Sequence, residues 1–306
     1  MIRSITRQTP TINSYELVSP AGEPLPSFSA GAHLEIELAP GLRRHYSLAN
    51  SPAERHRYLI AVLKEPAGRG GSRHLHDRAR VGDLLEVSAP RNLFALGDSR
   101  SSVLLAGGVG ITPLLSMAHA LAEASRPFAL HYCVRTERDV AFPEELAKLS
   151  AKGEVRVHPS REGAGRLDLH ALASGLSPDT TLYCCGPAGL IAAAGAAAAA
   201  VGAPFRSEHF APAAPAQPFE DGEFEVEIAS TGLVLKVPAN RSILDVLNAA
   251  GCSIDSSCEA GTCGTCQTRY LAGDVDHRDF VLSEAEQRDQ LMVCVSRGRG
   301  RIVLDL

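Results

Sequence analysis

The stretch Cys258-Glu259-Ala260-Gly261-Thr262-Cys263-Gly264-Thr265-Cys266 places three cysteines within nine residues, in a chain of 306 that holds eight. The spacing is Cys258-x4-Cys263-x2-Cys266, and Cys294 follows after 27 intervening residues. A zinc ribbon would pair two C-x2-C units, and here a single pair has that spacing. C-x4-C-x2-C with a distant fourth cysteine is the plant-type [2Fe–2S] pattern. Two irons and two bridging sulfides need four thiolates, three on a short loop and one on an opposing element. Gly261 and Gly264 permit turns that other residues resist, and they leave amide N–H groups to point at sulfur. The spacing therefore favours Cys258, Cys263, Cys266 and Cys294 as metal ligands, with zinc and structural thiols as the lesser readings. Cys252 lies outside the spacing and is expected to pack as a small hydrophobe.

Around this stretch, residues 221–306 begin with Glu-Phe-Glu-Val-Glu-Ile, a turn at Ser230-Thr231-Gly232, and Leu-Val-Leu-Lys-Val, which together read as a hairpin. Ser242 and Asp245 form an S-x-x-D helix start, and Gly251 supplies a stop. This part carries 14 Asp and Glu against 8 Lys and Arg, so it accounts for the chain's net charge of −5. An acidic balance argues against nucleic acid as the main partner. The acidic surface is either a docking face or ordinary solvated surface. The proline-rich run Ala211 to Glu223 reads as containing a linker.

Residues 98–211 alternate strand and helix: Ser-Val-Leu-Leu-Ala-Gly-Gly, a helix from Thr112, Phe128 to Val134, and onward to Thr-Leu-Tyr-Cys-Cys-Gly and an alanine-rich helix. That rhythm predicts a parallel sheet wrapped by helices. Gly107-Gly108-Val109-Gly110-Ile111-Thr112-Pro113 closes a strand and opens a helix, with Thr112 as the expected cap and Pro113 in the first turn. The glycines would let a dinucleotide pyrophosphate approach the positive helix end. Cys184-Cys185-Gly186-Pro187 forms a second strand-to-helix junction. In a parallel sheet both junctions sit at the carboxyl edge, where ligands bind. Cys184 is expected in the core and Cys185 on the nicotinamide side.

Residues 1–97 hold short strands, at His33–Ala39, His45–Asn50, Arg57–Lys64 and Leu84–Pro90, separated by Gly, Pro and Asp turns. This spacing predicts an antiparallel β-barrel. Arg44, His45, Tyr46 and Ser47 put a cation, an aromatic ring and a hydroxyl on one strand, with Arg44 and Tyr46 on one face by alternation. Gly68-Arg69-Gly70-Gly71-Ser72 offers N–H groups, a guanidinium and a hydroxyl suited to a phosphate. A nicotinamide gives two electrons as hydride and a cluster accepts one, so a flavin between them is the expected converter.

Arg44-x-Tyr46-Ser47, Gly68 to Ser72, Pro90-Arg-Asn-Leu-Phe94, Gly107 to Pro113, Tyr183-Cys-Cys-Gly-Pro187 and the C-terminal cysteines occur in this order. End to end, the chain resembles the reductase components of Rieske-type oxygenases, the phthalate dioxygenase reductase and vanillate demethylase reductase family. The resemblance implies an FMN-binding barrel (1–97), an NAD(H)-binding α/β domain (98–211), a linker (212–220) and a β-grasp ferredoxin domain (221–306). It implies FMN at Arg44, His45, Tyr46, Ser47, Ala61, Val62, Leu63, Arg69, Gly70, Gly71, Ser72 and Thr112. Leu63 stands where a member of the family has lysine, a change that a backbone contact would survive. The resemblance implies NADH at Gly107, Gly108, Gly110, Gly186, Pro187 and Arg135, where the guanidinium could also meet a 2′-phosphate. Cys185 and Phe210 would shape the nicotinamide pocket.

The implied function is electron transfer from NADH through FMN and the [2Fe–2S] cluster to a partner oxygenase docked on the ferredoxin domain. The rivals are a reductase feeding another monooxygenase or a cytochrome, and a nucleotide-binding redox sensor. The N-terminal sequence lacks an apolar signal region, and no run reaches the ~18 apolar residues of a membrane helix. A cytoplasmic monomer with no membrane partner is the expectation.

Overall fold

Residues Ile2–Arg7 (β1) and Ile12–Leu17 (β2) open the chain as an antiparallel pair, a strand pair that sequence patterning did not single out. The computed structural model describes residues 1–66, 68, 70–163, 165–210 and 222–306; Arg69 and the expected linker, 212–220, lie outside the described residues. His33–Ala39 (β3) and Leu42–Ser47 (β4) form the next hairpin, followed by Tyr58–Leu63 (β5), the helix Gly71–Asp77 (α1) and the short strand Glu86–Val87 (β6). Two three-stranded antiparallel sheets result, in the orders β1-β2-β5 and β4-β3-β6. An isolated bridge between Leu48 and Ile60 ties them together. Tyr15, Leu34, Ile36 and Ile60, from both sheets, fill one core, as expected of an antiparallel barrel fold. The strand expected over 45–50 lies three residues earlier. Its turn is Pro40-Gly41, and Gly41 at φ +75° allows the tight reversal.

The middle of the chain alternates as its sequence rhythm predicts. Ser101–Gly107 (β7) leads into Ile111–Glu123 (α2), Phe128–Val134 (β8), Pro143–Ser150 (α3), Glu154–Pro159 (β9) and Leu169–Ser174 (α4). Thr180–Cys185 (β10), Ala188–Ala200 (α5) and Phe205–Glu208 (β11) complete it. The all-parallel sheet runs β11-β10-β7-β8-β9. Chain order reverses between β7 and β10, and in open α/β sheets the crevice at such a switch is where ligands bind. α5 is helical because alanine is the best helix former, and Ile191, Ala194 and Ala198 supply its buried side.

A second unit runs from His209 to Leu306, and the first, Met1–Glu208, contains both the barrel and the parallel sheet. One core cluster explains why these two expected domains are one unit: Ile12, Ala61 and Phe94 from the barrel pack with Leu104, Ile111 and Met117. In the second unit, Phe224–Ile228 (β12), Leu233–Val237 (β13), Ile243–Ala249 (α6), Gln267–Asp276 (β14), Gln290–Met292 (β15) and Arg297–Leu304 (β16) form a β-grasp fold. Its mixed sheet has the order β13-β12-β16-β14-β15, with β12 parallel to β16. The S-x-x-D start of α6 is a full capping box: Ser242 Oγ accepts from Asp245 N at 3.0 Å, and Asp245 Oδ2 accepts from Ser242 N at 3.0 Å. No helix of the described residues is long and apolar enough to cross a membrane.

Replacing Ser242 by Ala removes one side of the capping box. It should lower the stability of the second unit by about 1 kcal/mol, read as a lower denaturant midpoint with an unchanged slope.

Candidate functional site

At the carboxyl ends of β7 and β10 the two glycine-bearing junctions meet backbone to backbone. A Cβ added at Gly110 would lie 2.3 Å from the Cys185 carbonyl oxygen and 2.8 Å from Gly186 N. One added at Gly107 would strike Pro187 Cδ at 2.7 Å, and one at Gly186 would strike Gly107 Cα at 2.9 Å. These three glycines thus serve the approach of one loop to the other. Gly108, at φ +55°, is the one that leaves open space, since a Cβ there would meet no atom within 4 Å. A 3-10 turn over Gly108–Gly110 precedes α2, so Thr112 is inside the helix and does not cap it. Its buried hydroxyl donates to Val109 O at 3.1 Å. Arg135 is exposed just beyond β8.

Cys184 is fully buried in the core beneath α5, as expected. Cys185 is buried too, on the opposite face of β10. Burial, first, and then the neighbouring Glu208 carboxylate push its thiol well above the usual range. The group is a neutral thiol, unsuited to nucleophilic attack. Glu208 pairs with Cys185 in the parallel register of β11 and β10. Burial raises its carboxyl to about 8, although Ser47 Oγ donates to Glu208 Oε2 at 3.1 Å and pulls the other way. In the sequence, Ser207-Glu208-His209-Phe210 resembles the end of the family's nucleotide domain, and that resemblance assigns Glu208 no role of its own. Only the register, which sets it opposite Cys185 and within reach of Ser47, reveals it.

Strand β4 divides its predicted residues between two faces. Arg44 and Tyr46 point one way, Arg44 against the glycine loop: a Cβ at Gly71 would lie 2.5 Å from Arg44 Cγ. Tyr46 packs onto the barrel core, where burial raises its phenol and keeps it protonated. His45 and Ser47 point the other way. His45 Nε2 lies 3.3 Å from Glu35 Oε2 and its ring stacks on His33 at 4.7 Å. Gly70 begins α1 at φ +89°, and the Ser72 hydroxyl accepts from Glu65 N at 3.1 Å. Ala61 and Val62 are buried on β5 and Leu63 is half-buried. Phe210 is 45% exposed and belongs to the second unit.

In the second unit the cysteines come together two and two. Hydrogen bonding within the pair draws Cys258 down and pushes Cys263 up, and the Cys266–Cys294 pair divides in the same way. Cys258, Cys266 and Cys294 are buried. Ala260 N and Thr262 N donate to Cys258 Sγ at 3.3 and 3.4 Å, and Cys263 Sγ donates to Thr265 Oγ1 at 3.3 Å. A single zinc ion needs four ligands around one point. Among the described residues no group of three or more His, Cys, Asp or Glu side chains is placed to hold one ion. A [2Fe–2S] rhomb instead needs two thiolates at each of two irons, and the paired thiols with amide N–H groups on sulfur fit it. Cys252 packs against the apolar core of this unit, as expected.

Comparison with known proteins agrees with these local readings. Residues 226–298 match the 2Fe-2S iron-sulfur cluster binding domain family, and residues 104–195 match the oxidoreductase NAD-binding domain family. The chain is 46% identical to a vanillate O-demethylase oxidoreductase of Pseudomonas putida, covering 96% of this chain and 95% of that one. It is 42% identical to the beta subunit of a heme-dependent oxidative N-demethylase of Ectopseudomonas mendocina, covering 100% and 97%. Among solved structures it resembles phthalate dioxygenase reductase, described as modular, for electron transfer from pyridine nucleotides to [2Fe–2S]. That match has a TM-score of 0.82 at 40% identity and covers 100% of this chain and 96% of that one.

Glu208 carries a sign that can be tested. Its folded value is raised above the ordinary 4.5, so the stability gained from its proton is complete below pH 4.5 and is lost as pH rises through about 8. Thermal midpoints of the native protein should fall between pH 5 and pH 8 relative to those of Glu208→Gln, whose profile over that window should be flatter. Separately, Gly110→Ala pushes the two junctions apart. It should weaken NADH binding by at least about tenfold, equivalent to ~1.4 kcal/mol, as read by titration of the protein with nucleotide.

Proposed function

The chain belongs to the family of phthalate dioxygenase and vanillate O-demethylase reductases, and on that premise we propose that it is the reductase component of a Rieske-type aromatic-ring oxygenase or O-demethylase. It would take electrons from NADH through FMN and a [2Fe–2S] cluster to the partner oxygenase. The observation that carries this reading is the joint presence, in one chain, of switch-point loops at β7 and β10 and of four thiols paired two and two. The proposed boundaries are 1–97 for FMN, 98–211 for NADH, 212–220 as linker and 221–306 for the cluster.

When bound, the nicotinamide supplies a hydride, the flavin exchanges two-electron for one-electron chemistry, and the cluster carries single electrons. The protein's own groups have simpler tasks. Gly107, Gly108, Gly110, Gly186 and Pro187 form the crevice for the dinucleotide, with Arg135 at its exposed rim. Arg44, held against Gly71, and the loop of Arg69, Gly70 and Ser72 suit a flavin phosphate. Tyr46 offers a ring face, and His45, Ala61, Val62, Leu63 and Thr112 line the remaining flavin contacts.

Cys185 keeps its thiol proton and presents a small neutral surface that excludes water without competing as a base. The Ser47 hydroxyl and the Glu208 carboxyl form a hydrogen-bonded pair that can hold a proton at Glu208 Oε2. Hydride transfer itself needs no general acid or base, which suits a crevice of neutral groups. Cys258, Cys263, Cys266 and Cys294 hold the cluster, and the protein works as a cytoplasmic monomer whose acidic C-terminal part meets the oxygenase.

A second reading is favoured by one relative. The beta subunit similar to this chain belongs to a heme-dependent N-demethylase, so the electron acceptor here could be a heme protein in place of a Rieske oxygenase. Turnover with each class of purified acceptor separates the two.

Anaerobic addition of NADH to the purified protein should bleach both the flavin and the cluster absorption. Absence of bleaching in either would overturn the assignment. Cys294→Ser should keep NADH-driven reduction of ferricyanide while reduction of the partner oxygenase falls to background.

A further inference from the structure

The sequence Asp276-His277-Arg278-Asp279 suggests a metal site or a triad and is better read as a turn near the surface; in the structure Asp276 ends β14, and the side chains of the segment are largely covered. The Asp279 side chain is fully buried. Its Oδ2 accepts from Val281 N at 3.1 Å and from Leu282 N at 2.8 Å, which folds the turn around the carboxylate. Its Oδ1 has no hydrogen-bond partner among the described residues, and neither has the buried Nδ1 of His277. The two atoms are 3.9 Å apart, beyond hydrogen-bond reach. Arg278, the adjacent cation, is engaged with Asp276, its Nε 2.6 Å from Asp276 Oδ2.

A buried carboxylate with an unpaired oxygen is costly. Asparagine has the same shape. It would keep one oxygen for the two backbone donors and bring no charge into the interior. Local structure alone therefore favours the amide, so the charge calls for another explanation.

The location supplies one. Gly261 lies between Cys258 and Cys263, and a Cβ there would be 3.0 Å from Asp279 Cα and 3.1 Å from its Cβ. Phe280 N donates to Gly261 O at 2.9 Å. The cysteine loop thus rests directly on Asp279. A negative charge in a poorly screened interior opposes the arrival of an electron nearby. On the reading of the four cysteines as cluster ligands, we propose that Asp279 is a positioning residue for that cluster, which shapes the 279–282 turn whose Phe280 N holds Gly261 O of the cysteine loop, and which by its charge holds the reduction potential down. A lower potential increases the driving force for passing the electron onward.

The test uses the full-length purified protein and its Asp279→Asn and Asp279→Ala variants, with Asp274→Asn, a neutralised exposed acid on β14, as control. Visible circular dichroism first establishes the cluster in the native protein; its absence there would overturn the ligand reading itself. With the cluster present, redox titration followed by electron paramagnetic resonance gives the midpoint. Asp279→Asn should keep the cluster content and the line shape, melt no lower than the native protein, and shift the midpoint to a more positive potential. Asp274→Asn should leave it in place, and Asp279→Ala, which removes the acceptor that shapes the turn beneath the cysteine loop, should lose cluster. An unchanged midpoint in Asp279→Asn would overturn the role of the charge. So would loss of cluster from Asp279→Asn as complete as that from Asp279→Ala.

Discussion

The first unit is organised by how closely two backbones can approach at the carboxyl ends of β7 and β10. With the Cys185 carbonyl where a Gly110 Cβ would be, any side chain there forces the loops apart. The contact fixes where α2 begins, and through Cys185 it fixes the register that brings Glu208 opposite. The barrel is bound into the same arrangement, since Phe94 and Ala61 pack with Ile111 and Met117. The Ser47–Glu208 hydrogen bond then joins residues 161 positions apart in sequence. A crevice built this way is set by main-chain geometry, which is stiffer than side-chain packing, and its polar groups arrive in fixed relation to one another.

The second unit solves a different problem. Four thiols brought together from the 258–266 loop and the segment after β15 cannot all ionise, and without metal they share protons in pairs. On the proposed reading, two irons would stand where those protons are, with two thiolates at each. The amide donors on Cys258 Sγ are already directed at sulfur.

Local chemistry was legible in the sequence. The strand–helix rhythm, the S-x-x-D start of α6 and the C-x4-C-x2-C spacing all encode short-range constraints, and they describe their elements to within a few residues. What escaped were features created by distant partners. β1 and β2 lack strong alternation signals and are strands because β5 pairs with β2. Thr112 was expected as a cap, but the preceding 3-10 turn moves the helix start and leaves it inside. Glu208 and Asp279 are ordinary acids in sequence, and what sets them apart is the register that puts Glu208 opposite Cys185 and the burial of Asp279 against Gly261. The glycines of the two junctions were read as making room for a ligand, whereas three of them make room for each other.

The core shared by the barrel and the parallel sheet bears on how such a protein can be recombined. A crossover placed at 97/98 would divide one hydrophobic core between two parents, and every side chain from Ala30 and Phe94 to Leu114 would need a matching counterpart. A crossover after Glu208 leaves that core with a single parent, and the second unit has its own apolar interior around Val226, Leu247 and Ile302. Exchange of parts between reductases is thus natural at the end of β11. There, the first unit can acquire a new second unit without repacking its interior.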